Sequence, residues 1–299
     1  MNSISCYIPW HQLKNPVYSH AGWSVKDACM IEKDGVFFVF FSAFYWEDEQ
    51  ERSHVVEVKT TDWLNWSEPI INWRGQEGGW IGLCSPNITE AEGEYYLTFN
   101  SWGDKAGQPN QLFYARSNDL EHWETVQPLA SSLTMGTRSI DAAVIYHQNQ
   151  FYLVWKKVQI SQIAVSPTID GDWQHLGQAA DFWFENAHFI EIDGSMQMVL
   201  TSRDQQHRTS IAPMAGDSRS LANWTRWLAF RAFDIPPEAF NLHEQANAGF
   251  LADWRRQDGY YYLIYAGTTE GVSHARRGDN RLGLARSRDL IRWEVPPGL

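Results

Sequence analysis

The sequence predicts an all-β protein, a five-bladed β-propeller with four antiparallel strands per blade. Three observations predict it. Amphipathic stretches of helical period are essentially absent. Short apolar strands alternate with Gly, Asn and Asp turns along the chain. One figure recurs five times, every roughly 45 to 65 residues, as expected of repeats of four strands each.

The first 21 residues read as a lead-in or ring-closing segment, with a strand around Ser3 to Ile8. The first unit, 22–75, sets the pattern. Its inner strand carries Asp27, turns at Asp34-Gly35, and continues as the apolar Val36-Phe37-Phe38-Val39-Phe40-Phe41. An Asp-Gly pair between apolar runs is a strong hairpin signal, because both central residues of the tight turn need positive φ. An alternating strand, 54–61, follows, then the close Asp62-Trp63-Leu64-Asn65-Trp66.

The second unit, 80–128, repeats this with Cys84-Ser85-Pro86, Gly93-Glu94-Tyr95-Tyr96 and the close Ser117-Asn118-Asp119-Leu120-Glu121-His122-Trp123. The third, 136–178, has Ser139-Ile140-Asp141, the strand Phe151-Tyr152-Leu153-Val154-Trp155 and Asp172-Trp173. The fourth, 181–232, has Phe184-Glu185-Asn186-Ala187-His188, then Gly194 and Asn223-Trp224. The fifth, 245–296, has Ala248-Gly249-Phe250-Leu251, a longer hairpin ending at Gly259, and the close Ser287-Arg288-Asp289-Leu290-Ile291-Arg292-Trp293. Segments 102–110 and 234–247 read as long loops able to close over a pocket.

The 299 residues, 43% hydrophobic and 14% aromatic, suffice for a packed core in one propeller domain. A net charge of -12 opposes binding to a nucleic-acid backbone or an anionic membrane. It leaves open a neutral glycan. Sixteen Trp suit blade packing, with a minority free to stack on sugar rings. Cys6, Cys29 and Cys84 have neither metal nor disulfide spacing and read as free thiols. A start with Met and no secretory signal points to the cytoplasm. No run of about 18 apolar residues predicts a membrane span. The sequence calls for no cofactor and has no metal motif, although a structural calcium in a propeller channel is compatible with it. It leaves the oligomeric state open.

Inner strands of a propeller line its central channel. Asp27 stands eight residues before Gly35, Ser85 eight before Gly93, and Asp141 eight before Asn149. Glu185 stands nine before Gly194, one step out of phase. In the fifth unit Asn247 or Gly249 is the expected counterpart. Asp27, Asp141 and Glu185 are therefore expected at one mouth of the channel. Carboxyl pairs suit glycosidic cleavage, one protonating the leaving oxygen while the other activates water or attacks the sugar. The aromatic neighbours of Glu185 are expected to raise its pKa and keep it protonated. His243, just before the last unit, is kept as a possible axial residue.

Three motifs, in this order and these units, resemble the propeller glycosidases of glycoside hydrolase families 43 and 62, with families 32, 68 and 117 more distant. They are Lys26-Asp27-Ala28-Cys29-Met30-Ile31, Ser139-Ile140-Asp141 and Phe184-Glu185-Asn186-Ala187-His188. The resemblance spans about residues 22 to 296. It implies Asp27 as general base, Asp141 as the residue that holds the acid and tunes its pKa, Glu185 as general acid, and inversion at the anomeric carbon. Ala28 stands where Pro is usual, and Asn186 also departs from the pattern. The Asn-Asp-Pro motif of the retaining families 32 and 68 is absent. The reading is an exo-acting hydrolase of a terminal pentose-like residue, arabinofuranosyl or xylosyl, on a short oligosaccharide. Substrate contacts are expected from Ser85, Trp46, Trp80, Trp102, Arg138, Trp183, Arg203 and His243. The alternatives are a catalytically inactive glycan-binding propeller and an inverting phosphorylase, whose phosphate pocket Arg138, Arg203, Arg208 and Arg255 would supply.

Overall fold

The structure, a computed structural model, describes residues 8–103, 107–202, 207–269 and 279–298. The strand expected around Ser3 to Ile8 therefore lies almost wholly outside the described residues, as do Cys6 and Arg203.

The strands run in fours. The first group is β1 (Ser24–Lys33), β2 (Val36–Glu47), β3 (Gln50–Thr60) and β4 (Ile71–Trp73). The second is β5 (Gly82–Ala91), β6 (Glu94–Trp102), β7 (Leu112–Ser117) and β8 (Gln127–Pro128). The third is β9 (Ser139–His147), β10 (Gln150–Lys157), β11 (Ile160–Ser166) and β12 (Gln174–Gln178). The fourth is β13 (Phe184–Ile192), β14 (Ser195–Ser202), β15 (Arg208–Pro213) and β16 (Arg231–Ala232). The fifth is β17 (Glu244–Trp254), β18 (Tyr260–Thr268), β19 (Arg281–Ser287) and β20 (Trp293–Glu294). Each group pairs antiparallel in chain order; the first two are fused into one eight-stranded sheet through a single parallel bridge, Ser53 to Gly82. Helical structure among the described residues is limited to single turns such as Ser131–Thr134.

The turn chemistry explains the first four hairpins. Asp34 and Gly35 have φ of 51° and 84°, Glu92 and Gly93 54° and 83°, Gln148 and Asn149 50° and 60°, Asp193 and Gly194 51° and 77°. Two successive positive φ values match the twist of the flanking strands. The closing motif is a cap. Ser117 Oγ accepts the Leu120 N–H at 2.8 Å, and Asp119 Oδ1 accepts those of Glu121 and His122 at 2.9 and 2.8 Å. Thr60 and Asp62 do the same in the first unit; in the fifth, Asp289 Oδ1 accepts the Ile291 and Arg292 N–H groups and Ser287 Oγ accepts that of Asp289.

The inner strands β1, β5, β9, β13 and β17 touch in a cycle, β17 returning to β1. The core is correspondingly split into wedges between successive sheets. One such wedge packs Tyr152, Val154, Phe184, Met198 and Trp224; another, between the last sheet and the first, packs Val39, Phe41, Tyr262 and Ile264. Most tryptophans fill these wedges, whereas Trp46 is 52% exposed. The lead-in fastens the last sheet: Asn15 Nδ2 donates to the Leu284 carbonyl at 3.0 Å, Leu284 N–H donates back to Asn15 Oδ1 at 2.9 Å, and Tyr18 bridges Leu282. Cys29 and Cys84 are free and buried.

The connection before the last sheet is not a lid. Ile235, Phe240 and Asn241 are buried, the first two packing with Leu263 and Tyr265. Leu242 and His243, just ahead of β17, are exposed.

Candidate active site

Each inner strand breaks its ladder where two residues face one on the partner strand, β17 with a second break between Glu244 and Asn247. The register slips between Lys26 and Cys29, Cys84 and Asn87, opposite Val154 and Lys156, between Glu185 and His188, and between Asn247 and Phe250. In each bulge one residue is left-handed: Asp27 (φ 54°), Ser85 (54°), Asp141 (57°), Asn186 (49°) and Ala248 (46°). Such bulges re-aim a side chain, and Asp and Asn accept this backbone more readily than most residues. All five line one central cavity, with His188 and Phe250 beside them. The eight-residue spacing thus marks Asn186, not Glu185, in the fourth sheet. In the fifth it is neither Asn247 nor Gly249 but Ala248, because the last hairpin is longer.

Glu185 sits one residue before its station and reaches the site another way. Lys156, near the end of β10, ion-pairs the Glu185 carboxylate and lies 3.6 Å from Asp141 Oδ2. The rest of the circuit is hydrogen-bonded. Ser85 Oγ donates to Asp141 Oδ1 at 3.1 Å, and the Ser85 N–H donates to Ser42 Oγ at 2.7 Å. Ser42 Oγ donates to Asp27 Oδ2 at 2.9 Å, and Asn186 Nδ2 donates to Asp27 Oδ1 at 3.2 Å. Asn186 follows Glu185 in the chain, so the circuit closes on itself. Asp27, Asp141 and Glu185 therefore belong to one connected cluster.

The ionisation differs from the sequence expectation. Burial, the largest single influence, pushes the Glu185 carboxyl up, but the Lys156 ammonium and its hydrogen bond, with Lys26 and His207, together outweigh it, and the net direction is down. The aromatic neighbours do not protonate Glu185, because strand alternation turns Phe184 into the core while Glu185 faces Lys156. Asp141 is the group raised above the ordinary Asp value, first by burial, then by the nearby Glu185 and Asp27 carboxylates, with Lys156 opposing. The side chains of Lys156 and Asp141 are 7% and 8% exposed, whereas that of Glu185 is 23% exposed and the more accessible acid. His188 is neutral, its imidazole lowered to about 3 by burial, and its Nε2 accepts the Leu251 N–H.

Trp183 lies over the Lys156 ammonium at 5.2 Å, beside the site. Trp46 and Trp102 end β2 and β6 at the site-facing end, Trp102 edge-on to Phe44 at 5.3 Å. Trp80 is buried against Phe113 and cannot stack on a sugar. Arg138 precedes β9 at the same end, its carbonyl bonded by Val158 N–H. His243 donates its N–H to Thr268, leaving an exposed ring. Arg255 does not belong to a phosphate pocket here: it pairs with Asp193 and Asp253 at the far ends of the strands, and Arg208 lies 3.7 Å from Asp234. Among the described residues no cluster of three or more His, Cys, Asp or Glu is placed to hold a metal ion, so a channel calcium finds no such ligand set.

Lys156 is the residue the sequence reading missed. The signal was available: seven residues after the turn residues Gly35, Gly93, Asn149, Gly194 and Gly259 stand Ser42, Asn100, Lys156, Thr201 and Ala266. Each lies opposite the residue before a left-handed station. A lysine closing the apolar strand Phe151-Tyr152-Leu153-Val154-Trp155 is out of place unless its charge is matched.

Residues 82–293 match the family model described as glycosyl hydrolases family 43. Similar folds include an α-L-arabinofuranosidase from Lactobacillus brevis (TM-score 0.66, 14% identity, covering 95% of this chain and 98% of that one). A family 43 enzyme from Xanthomonas citri complexed with xylotriose is similar too (TM-score 0.65, 13% identity, 96% and 95% covered). Against a family 43 protein of a Bacteroides ovatus xyloglucan locus, 95% of this chain aligns at TM-score 0.62 and 13% identity but spans only 56% of that longer chain. No curated protein matches the chain.

Proposed function

The chain belongs to glycosyl hydrolases family 43, a glycosidase family, and from that premise we propose that it is an exo-acting, inverting enzyme removing a terminal arabinofuranosyl or xylosyl residue from a short oligosaccharide. The observation that carries this reading is the closed circuit joining Asp27, Asp141 and Glu185. We read the chain as one domain of five blades, 22–75, 80–128, 136–178, 181–232 and 245–296, supported by the cycle of inner strands. The cytoplasm is its proposed location, in keeping with the free thiols of Cys29 and Cys84.

In the proposed reaction Asp27 is the base. Ser42 and Asn186 fix both its oxygens, leaving lone pairs to take a proton from water. That water forms the new bond to the anomeric carbon. The glycosidic C–O bond breaks on the opposite face, its electron pair staying on the leaving oxygen. That oxygen receives the proton of Glu185. Asp141, held by Ser85 and by its own N–H on Asn100 Oδ1, anchors Lys156 beside the acid. Trp46, Trp102 and Trp183 are the proposed stacking surfaces, with Ser85, Arg138 and His243 as polar contacts; Arg203 stays in this proposal from sequence alone.

The experiment is a screen of 4-nitrophenyl α-L-arabinofuranoside and β-D-xyloside, with proton NMR of the first-formed sugar. Hydrolysis with inversion supports the reading. Retention, or turnover that requires added phosphate, overturns it. The Lys156–Glu185 ion pair favours a second reading, a glycan-binding propeller without turnover. Calorimetric binding of xylotriose or arabinotriose with no hydrolysis of any glycoside selects it.

A further inference from the structure

Three sheets use their Ser42-type position for one structural purpose. Ser42 Oγ accepts the Ser85 N–H at 2.7 Å, Asn100 Oδ1 accepts the Asp141 N–H at 2.9 Å, and Thr201 Oγ1 accepts the Ala248 N–H at 3.0 Å. In each case a side-chain oxygen on one sheet holds the left-handed station of the next. Lys156 occupies the same position in the third sheet. An ammonium has three donors and no acceptor, so it cannot make that bond. Scaffolding does not explain this lysine. Its Nζ lies instead between two carboxylates, in contact with Glu185 and 3.6 Å from Asp141 Oδ2.

A buried ammonium is costly unless paired, and here two partners compete for it. While it holds Glu185, that carboxylate is occupied and cannot serve as an acid. We propose that Lys156 is a positioning residue of the site: it pairs Glu185 in the free enzyme and passes to Asp141 when a glycosidic oxygen takes its place. The inference rests on the reading of Glu185 as the acid. A substrate oxygen beside Glu185 competes for the carboxylate, and the Asp141 carboxylate receives the displaced cation. Glu185 then takes up a proton from solvent and passes it to the leaving oxygen as the C–O bond breaks, and the proton that Asp27 removes from the attacking water is returned to solvent, so the protons balance. The other titratable groups around Glu185 are Lys26 on β1 and His207 ahead of β15, with Asp141 and Asp27 completing the cluster. Substrate binding is thereby coupled to proton uptake, and the site is silent until occupied.

The test compares the wild type with Lys156→Thr, Lys156→Arg and Asp141→Asn. Threonine restores the acceptor that Thr201 provides in the next sheet, so Lys156→Thr is expected to fold. Carbon-13 NMR of glutamate-labelled free protein, assigned with Glu185→Gln, follows the Glu185 carboxyl. It should titrate at least one pH unit higher in Lys156→Thr and stay near the wild-type position in Lys156→Arg. An unchanged titration in Lys156→Thr overturns the pairing. On the two aryl pentosides, the alkaline limb of wild-type kcat should lie at higher pH than that of kcat/KM, since only the latter reports the free enzyme. In Asp141→Asn the two limbs should coincide. Coincident limbs in the wild type overturn the transfer to Asp141. If the NMR titration moves but the activity limbs do not, the assignment of Glu185 as the acid fails while the pairing by Lys156 stands.

Discussion

Asn186 donates its side-chain amide to Asp27 at 3.2 Å, joining residues 159 positions apart that occupy the same left-handed station of two different sheets. This bond, with that from Ser42, sets the direction of the proposed base. Asn186→Gly keeps the backbone at no steric cost and removes the donor. Losing a hydrogen bond to a charged group is worth about 1.5 to 3 kcal/mol, so kcat/KM should fall roughly 10- to 100-fold. Thermal stability should change little, and melting curves beside the kinetics separate the two effects.

The proposed acid and base should be far more sensitive. Asp27→Asn and Glu185→Gln preserve shape while removing proton transfer, which is worth about 10²- to 10⁴-fold. Each should lower kcat by that amount with circular dichroism unchanged. Near wild-type turnover in both variants, on every glycoside hydrolysed, would falsify the assignment.

Glu57 gives a prediction about stability. It is fully buried on β3, with Trp123 Nε1 donating to one oxygen at 2.9 Å, and burial raises its pKa to about 8. A raised acid holds its proton longer in the folded chain than in the unfolded one. Its contribution to stability is therefore fully present below pH 4.5 and is lost as pH rises through about 8. Glu57→Gln removes this dependence. Its melting temperature should exceed that of the wild type at pH 8.5, by on the order of 5 °C, and the gain should shrink at pH 5. An equal gain at both pH values would exclude titration of Glu57 as the cause.

The lead-in is held by a two-way bond between Asn15 and Leu284. Asn15→Ala leaves a backbone donor and acceptor without their partner, at a cost of about 2 kcal/mol. Denaturant melts should show that loss with activity retained in the folded fraction. A melt matching the wild type would mean the segment contributes nothing to closure.

Much of this was legible in sequence, for local reasons. Asp34-Gly35 and Asp193-Gly194 announce turns because their backbone needs positive φ, and Ser117-x-Asp119 and Ser287-x-Asp289 announce caps because their oxygens satisfy nearby N–H groups. Counting from those turns found Asp27, Ser85 and Asp141. Glu185 was found by its motif, but its ionisation was misjudged, because neighbours in sequence on a strand face opposite ways and its partner comes from another sheet. Lys156 was overlooked because a lysine at a strand end ordinarily reaches solvent; only the packing of the third sheet against the fourth buries it. Ala248 was misplaced by a hairpin of different length. Trp80 resembled a binding-site aromatic because composition does not say which side of a sheet a ring takes.

The fastening of Asn15 and Tyr18 to β19 also orders events on the ribosome. Both residues precede β19 in the chain and must wait, without these partners, until Arg281–Ser287 have been synthesised. The circuit that unites Asp27, Asp141 and Glu185 needs nothing beyond β14, so the cluster has all its parts before β17 can return to β1. A nascent chain stalled short of β19 would carry an assembled set of acids on an open arc, with the edges of its first and last sheets bare. Bare strand edges of this kind are open to pairing with another chain.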